Sequence, residues 1–386
     1  MGTQRLTTIR WSATLILLAA FLGLTSLAGA QTYVRCSGTP GPGEYSTIQA
    51  ALNATPRSGG IITVDGACHE NVSIDAYNNL TIQGGTAGGS IVDAGPSDLG
   101  AVISLNVSSG VQLKQLTLQG AAGGNTVLVI LDSYVSLTDS MVQGAVDSDG
   151  IDVYGRSDLS IRRTTIQNNG GNVDGAGLSV ADTSSASLAG AGSIVQNNYF
   201  GVWVGGNAIV SINNGAQVLN NSLGVMVWGA QLVMNGPAVI RGNTINGIRL
   251  LHAIGRLQGN ASQQGAIIEQ NGGATVCCLV SAGIDATDGS HLDISWGHVA
   301  NNNAPGIYLQ DSSTARIYGG TISGNSGGGV QVTNLSVALL GPQPLNISAN
   351  PGGDLVCTDF SIAYGDSSGV AKMKCANFKK MAFPYP

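Results

Sequence analysis

A glycine followed by alternating large apolar residues returns along this chain: Gly150, Gly177, Gly201, Gly224, Gly247, Gly283, Gly306 and Gly329. The gaps are 27, 24, 23, 23, 36, 23 and 23 residues. The pairs that follow include Ile151/Val153, Val202/Val204, Val225/Val227, Ile248/Leu250 and Ile307/Leu309. Period-two alternation marks a strand with one buried face. A second marker sits later in each unit, an Ile or Val followed three residues on by Asn. It runs through Asn169, Asn198, Asn221, Asn243, Asn271, Asn302, Asn325 and Asn350. Asn tolerates left-handed backbone and its amide can bond a turn. Stacked at one turn of successive units, such amides form a ladder.

A unit of about 23 residues is too short for two helices and holds three short apolar runs. Three short strands per coil, each paired with its counterpart in the next coil, make an all-β fold: a single-stranded right-handed parallel β-helix. A leucine-rich repeat is excluded because its L-x-x-L-x-L signature is absent, and a propeller needs longer units. The earlier runs "VSSGVQLKQLTLQG" and "SYVSLTDSMVQGA" keep the alternation and read as further coils. On this pattern Ile151, Val204, Val227, Ile248 and Ile307 point inward in one line.

The segments outside the repeat divide the rest of the chain. Residues 1–30 read as a secretory signal peptide: Arg5 and Arg10, an apolar run over Ala13–Leu27, then Ala28-Gly29-Ala30. Residues 31–60 form an N-terminal cap with a short amphipathic helix, for which Ser46 is a plausible N-cap. Residues 61–350 form the β-helix and 351–386 a C-terminal cap. No transmembrane segment follows the signal, so the expected location is secreted, periplasmic or cell surface. The formal net charge is −6 and no basic run tracks phosphates, which argues against nucleic acid.

Thr47–Ile82, "TIQAALNATPRSGGIITVDGACHENVSIDAYNNLTI", resembles the opening of the pectin lyase-like superfamily, a T-I-Q-x-A helix and then a G-x-Y-x-E-x-V turn. Thr47, Ile48, Gln49, Ala51, Gly66, Glu70 and Val72 match, whereas Cys68 stands where tyrosine is usual. The resemblance implies the β-helix fold and a polysaccharide-handling protein. Pectinesterase motifs are missing. "SDGIDV" at Ser148–Val153 is similar to part of a polygalacturonase element, but the paired Asp-Asp, His-Gly and Arg-Ile-Lys that should follow are absent.

Outward residues of the glycine-led strand run Asp152, Ser179, Trp203, Met226, Arg249, Asp285, Tyr308 and Gln331. Two residues on, Tyr154 and Trp228 stand among the next outward set. Aromatic rings on a flat sheet suit sugar faces. Asp152 and Asp285 are no catalytic pair: five coils put them roughly 24 Å apart, against the roughly 5–10 Å a glycosidase pair needs. Three consecutive units gather Arg249 and His252, Asp285 and Asp288, Tyr308 and Asp311. An Arg, carboxylates and proton carriers on one face suit β-elimination from a uronic acid, with Arg249, His252, Asp285 and Asp288 in the catalytic roles. Asp152, Tyr154, Trp203, Trp228, Tyr308 and Asp311 then bind substrate. The plainer reading is a ladder of surface ion pairs. The 36-residue gap places an insertion, "GATVCCLVSA", between these units, where solenoids build binding loops.

His291 and His298 lack partners at metal-ligand spacing, so no zinc site is expected. No cofactor follows from the sequence. Six cysteines allow many pairings, and chain order favours Cys36–Cys68 and Cys357–Cys375 as staples at the two ends. Cys277 and Cys278 remain as a strained ring or two thiols. The function expected is binding or cleavage of an extracellular, acidic polysaccharide, by a lyase if an enzyme. The alternative is a non-catalytic structural or adhesion module.

Overall fold

The computed structural model describes residues 31–381, apart from 96–98, 121–123, 172–174, 261, 275–278 and 343. The expected signal peptide and the Cys277-Cys278 pair lie outside the described residues. Within them, no helix is long and apolar enough to cross a membrane.

The glycine-led runs stack as one 13-stranded, wholly parallel sheet. Its ladder places Ile151, Leu178, Val202, Val225, Ile248, Ile284, Ile307 and Val330 opposite one another in turn. The irregular early coils obey the same register, with Val72 opposite Ile103, Ile103 opposite Leu128 and Leu128 opposite Ile151. The other two runs of each coil join a 24-stranded sheet that wraps the remaining sides. The chain is an all-β, right-handed parallel β-helix. Ile151, Val204, Val227, Ile248 and Ile307 are fully buried, as the alternation requires.

The Asn marker forms the amide ladder. Asn169 donates from its backbone N and its Nδ2 to Asn198 Oδ1, at 3.0 and 3.1 Å. The same double donation continues through Asn221, Asn243, Asn271, Asn302 and Asn325 to Asn350. Buried Asp354 ends the run, accepting both donors of Asn350 on Oδ1 and the Lys372 N–H on Oδ2. Left-handed backbone falls on the residue before each ladder Asn, as at Asn168, Asn197, Asn220 and Asn301, and not on the ladder Asn itself. That preceding residue turns the corner so that the next amide points inward. A ladder that periodicity did not reveal uses hydroxyls: the N–H groups of Ser108, Ser133 and Ser157 donate to the next coil's Ser, as do those of Ser290, Ser313 and Ser336.

Helix α1 (Ile48–Ala54) turns Ile48, Ala51 and Leu52 into the core at the N-terminal end. Its N-cap is Thr47 rather than Ser46, with Thr47 Oγ1 accepting from Ala50 N at 3.1 Å. Glu70 accepts the free N–H groups of Ile48 and Gln49 at 2.6 and 3.1 Å. Gln49 bonds both backbone groups of Ser73 in the first coil. The T-I-Q-x-A and Glu residues therefore close the end of the solenoid. Gln31–Arg35 pairs with the strand Gly60–His69, and Leu355–Cys357 and Ile362–Gly365 pair with the preceding coils, so strand pairing runs on beyond both ends of the glycine repeat. The disulfides are Cys36–Cys68 and Cys357–Cys375, one at each end.

Candidate functional site

The outward row is assembled as its register requires. Asp152, Ser179, Trp203, Met226, Arg249, Asp285, Tyr308 and Gln331 stand in successive strands of one ladder. Five strand steps separate Asp152 from Asp285, and no catalytic pairing joins them. Trp228 sits beside Gly205 in the ladder and is 55% exposed.

Trp203 lies along its own strand. A Cβ on Gly205 would stand 2.3 Å from Trp203 Cη2, so the ring rests on the bare backbone of Gly205. Beside it opens a recess of about 260 Å³ lined by Asp149, Gly175, Ala176, Ser179, Phe200 and Trp203. Asp149 accepts the Ala176 N–H, and Asp152 accepts the Ser179 hydroxyl at 3.0 Å. Burial, with Asp152 adding repulsion, pushes the Asp149 carboxyl up to about 6. Asp152 is likewise raised by burial and by Asp182. Burial also raises the neighbouring Tyr154 hydroxyl. Sequence reading singled out Asp152 and Trp203 for this end of the face but gave Asp149, Ser179 and Phe200 no role. They meet because Ala176 pairs with Phe200 and Ser179 with Trp203 in adjacent coils, beside Asp149 at the start of the coil before.

Further along the row, Arg249 and Asp285 are neighbours, with Nη1 and Oδ2 3.6 Å apart. Asp285 is fully buried and the Arg249 side chain is 11% exposed. Both Asp285 oxygens, Arg249 Nε and Nη1, and Asn246 Oδ1 find no hydrogen-bond partner among the described residues. A separation of 3.6 Å is long for a hydrogen bond and leaves the pair imperfectly compensated. Burial pushes the Asp285 carboxyl up to about 7; Arg249 opposes the rise, and Asp311 and Asp288 add to it. Tyr308, next in the row, is raised by burial and by Asp285, Asp311 and Asp359. The insertion reaches this corner: Asn246 Nδ2 donates to Val280 O at 2.8 Å and Ser281 Oγ to Ile245 O at 2.7 Å.

His252, Asp288 and Asp311 occupy equivalent turn positions just past the strands, each with left-handed backbone. No ion pair joins His252 to Asp288 among the described residues. Asp311 is engaged within the turns, accepting from Thr287 Oγ1 at 3.1 Å and from Asn334 Nδ2. Among the described residues of this cluster, Arg249–Asp285 is the one ion pair. Among the described residues, the one cluster close enough to hold a metal is Cys36, Cys68 and Glu70. Its two sulfurs are bonded to each other and its carboxylate caps α1.

No protein-family model matches the chain, and no curated protein matches it. Among solved structures it is similar to a pectin methylesterase from Aspergillus niger, at 15% identity and a TM-score of 0.30, covering 90% of this chain and 94% of that one. It is similar to the catalytic domain of a GH87 alpha-1,3-glucanase, at 12% identity and a TM-score of 0.40, covering 92% and 68%. A GH136 lacto-N-biosidase from Eubacterium ramulus gives 11% identity and a TM-score of 0.35, covering 91% and 70%. All three scores lie below 0.5, and the fold described above stands on the strand ladders themselves.

Proposed function

We propose that this is an exported β-helix protein that binds a polysaccharide along the outer face of its glycine-led strand. The observation that carries the reading is the Trp203 ring laid on Gly205 at the mouth of a recess, with exposed Trp228 in the adjoining coil. Flat rings on a sheet meet the C–H faces of sugars, while the recess offers a hydroxyl and carboxylates for the sugar hydroxyls. Preference for an acidic polymer rests on Arg249, which is largely buried and paired with Asp285. Asp152 and Asp182 repel polyanions beside the recess, so a neutral sugar fits there and an acidic residue only toward Arg249. Retention of Trp203→Ala, Trp228→Ala and Arg249→Ala on gels carrying neutral or acidic polysaccharide tests this. The tryptophan variants should lose retention on the neutral gels, and Arg249→Ala on the acidic gels alone. Parent-like migration of all three on every gel replaces the reading with a structural or adhesion module.

A specific observation favours cleavage as the second reading. A carboxyl raised to about 6 holds its proton in weakly acidic solution, where it can serve as a general acid, and Asp149 is such a group inside the recess. β-Elimination at Arg249, His252, Asp285 and Asp288 would require a polymer to reach a fully buried carboxyl. Incubating the protein with neutral and uronic-acid polymers separates the two chemistries. New reducing ends without unsaturation, lost in Asp149→Asn, support the recess; unsaturated ends support the Arg249 cluster.

A further inference from the structure

Trp296 stands in left-handed backbone, at φ 58°, where a bulky side chain is a genuine outlier. The residue opposite it in the next coil is Gly319, since Ser295 pairs with Tyr318 and Gly297 with Gly320. Gly319 takes the same conformation at φ 69° without a side chain. Glycine therefore suits this corner, and tryptophan is held there against the backbone's preference. The surroundings make room for it. A Cβ on Gly259 would stand 2.8 Å from Trp296 Cβ, one on Gly265 2.3 Å from Trp296 O, and one on Gly319 3.1 Å from Trp296 Cε3. Val107, Leu335 and Phe360 also take left-handed backbone at turns of this solenoid, so what sets Trp296 apart is the recess its ring borders.

The indole borders a recess of about 480 Å³ on the 24-stranded sheet, away from the glycine-led face. Its floor carries His298 and Thr321, paired in register, with Asn346 opposite Thr321 in the following coil. Ser262 and Gln263 of the preceding coil form the other wall. None of these five side chains makes a hydrogen bond or ion pair with another described residue, unlike the Asn and Ser ladders of the same solenoid. Among the described residues, no Asp, Glu, Lys or Arg lines the recess. One aromatic ring with uncharged donors and acceptors around it is the chemistry that recognises a pyranose, by stacking on its C–H face and bonding its hydroxyls.

We propose that this recess is a second carbohydrate site, for a neutral sugar unit, with Trp296 as the stacking platform and His298, Thr321, Asn346 and Gln263 as hydroxyl partners. It is independent of the glycine-led face, so one molecule holds two chains or two stretches of one chain. The test uses calorimetric titration of the full chain with cellohexaose, maltohexaose and mannohexaose, with trigalacturonate as acidic control. Trp296→Gly is the informative variant, because it relaxes the left-handed backbone while deleting the ring. The expected result is a neutral oligosaccharide bound by the Trp203→Ala/Trp228→Ala double variant and weakened at least about tenfold by adding Trp296→Gly. Asn346→Ala should weaken the same component. Equal binding with and without Trp296→Gly, or no neutral oligosaccharide bound by the double variant, overturns the inference. Loss of binding in the double variant alone would leave the glycine-led face standing as the sole site.

Discussion

Asn243 Nδ2 lies 2.8 Å from where a Cβ on Gly224 would stand, and the carbonyl oxygen of Gly247 lies 2.4 Å from the same point. The glycine and asparagine markers are therefore one packing unit. The amide fills the space that the missing side chain leaves, and the same relation recurs from Gly150 with Asn169 to Gly329 with Asn350.

Gly224→Ala should be strongly destabilising, because the clash is with backbone as well as with an amide. Asn243→Ala leaves the backbone N and Nδ2 of Asn221 without their acceptor. Each such buried donor costs about 1–3 kcal/mol. Combining the two substitutions should not restore stability, since the Gly247 carbonyl still opposes the new methyl group. Denaturant unfolding of the two single variants and the double variant checks this; recovery in the double would show that the amide alone dictates glycine.

Gly205→Ala should displace the Trp203 ring, with which its methyl group would collide. The expected outcome is a loss of polysaccharide retention matching Trp203→Ala, with thermal stability close to the parent's. Unchanged retention would mean that the ring's position on the sheet is irrelevant to binding.

Asp285 gives a pH dependence of stability. Its carboxyl rises from an ordinary value of 3.8 to about 7 on folding, so the folded state binds the proton more tightly. The stabilisation from that proton is fully present below about pH 4 and is lost as pH rises through about 7. It amounts to a few kcal/mol in order of magnitude. Asp285→Asn removes this contribution, so the parent's Tm advantage over the variant should shrink between pH 4 and 8. A difference that is flat across that range would place the carboxyl's titration elsewhere.

Glu70→Ala should free the N–H groups of Ile48 and Gln49 and cost about 1 kcal/mol, the usual worth of a helix cap. Because coils contact only their neighbours, the loss should be local. Amide exchange should quicken in α1 and the first coil while the coils around Val225 stay protected. Uniformly faster exchange would indicate that the end cap governs the whole solenoid.

Coil register was legible in the sequence because it depends on side-chain volume and alternation, which repeat at a fixed interval. Gly150 to Gly329, the inward Ile and Val residues, the Asn ladder and the outward order from Asp152 to Gln331 all follow from that interval. A strand slipped by one residue would turn the whole apolar set to solvent, so few other registers were open. Which outward residues stay accessible depends on insertions and side-chain packing at single coils, which carry no period. Asp285 and Trp203 lie in the same row, yet Asp285 is sealed while Trp203 flanks an open recess. At the first coil the insertion ties to Asn246 through Val280, and at the second Asp149 and Phe200 line the recess beside Trp203. The left-handed turn of Trp296 gave no periodic signal either, since its meaning depends on Gly259 and Gly319 in the coils on either side. Contacts between residues tens of positions apart in the chain exist only once the coils have stacked, and those contacts decide burial, ring orientation and charge.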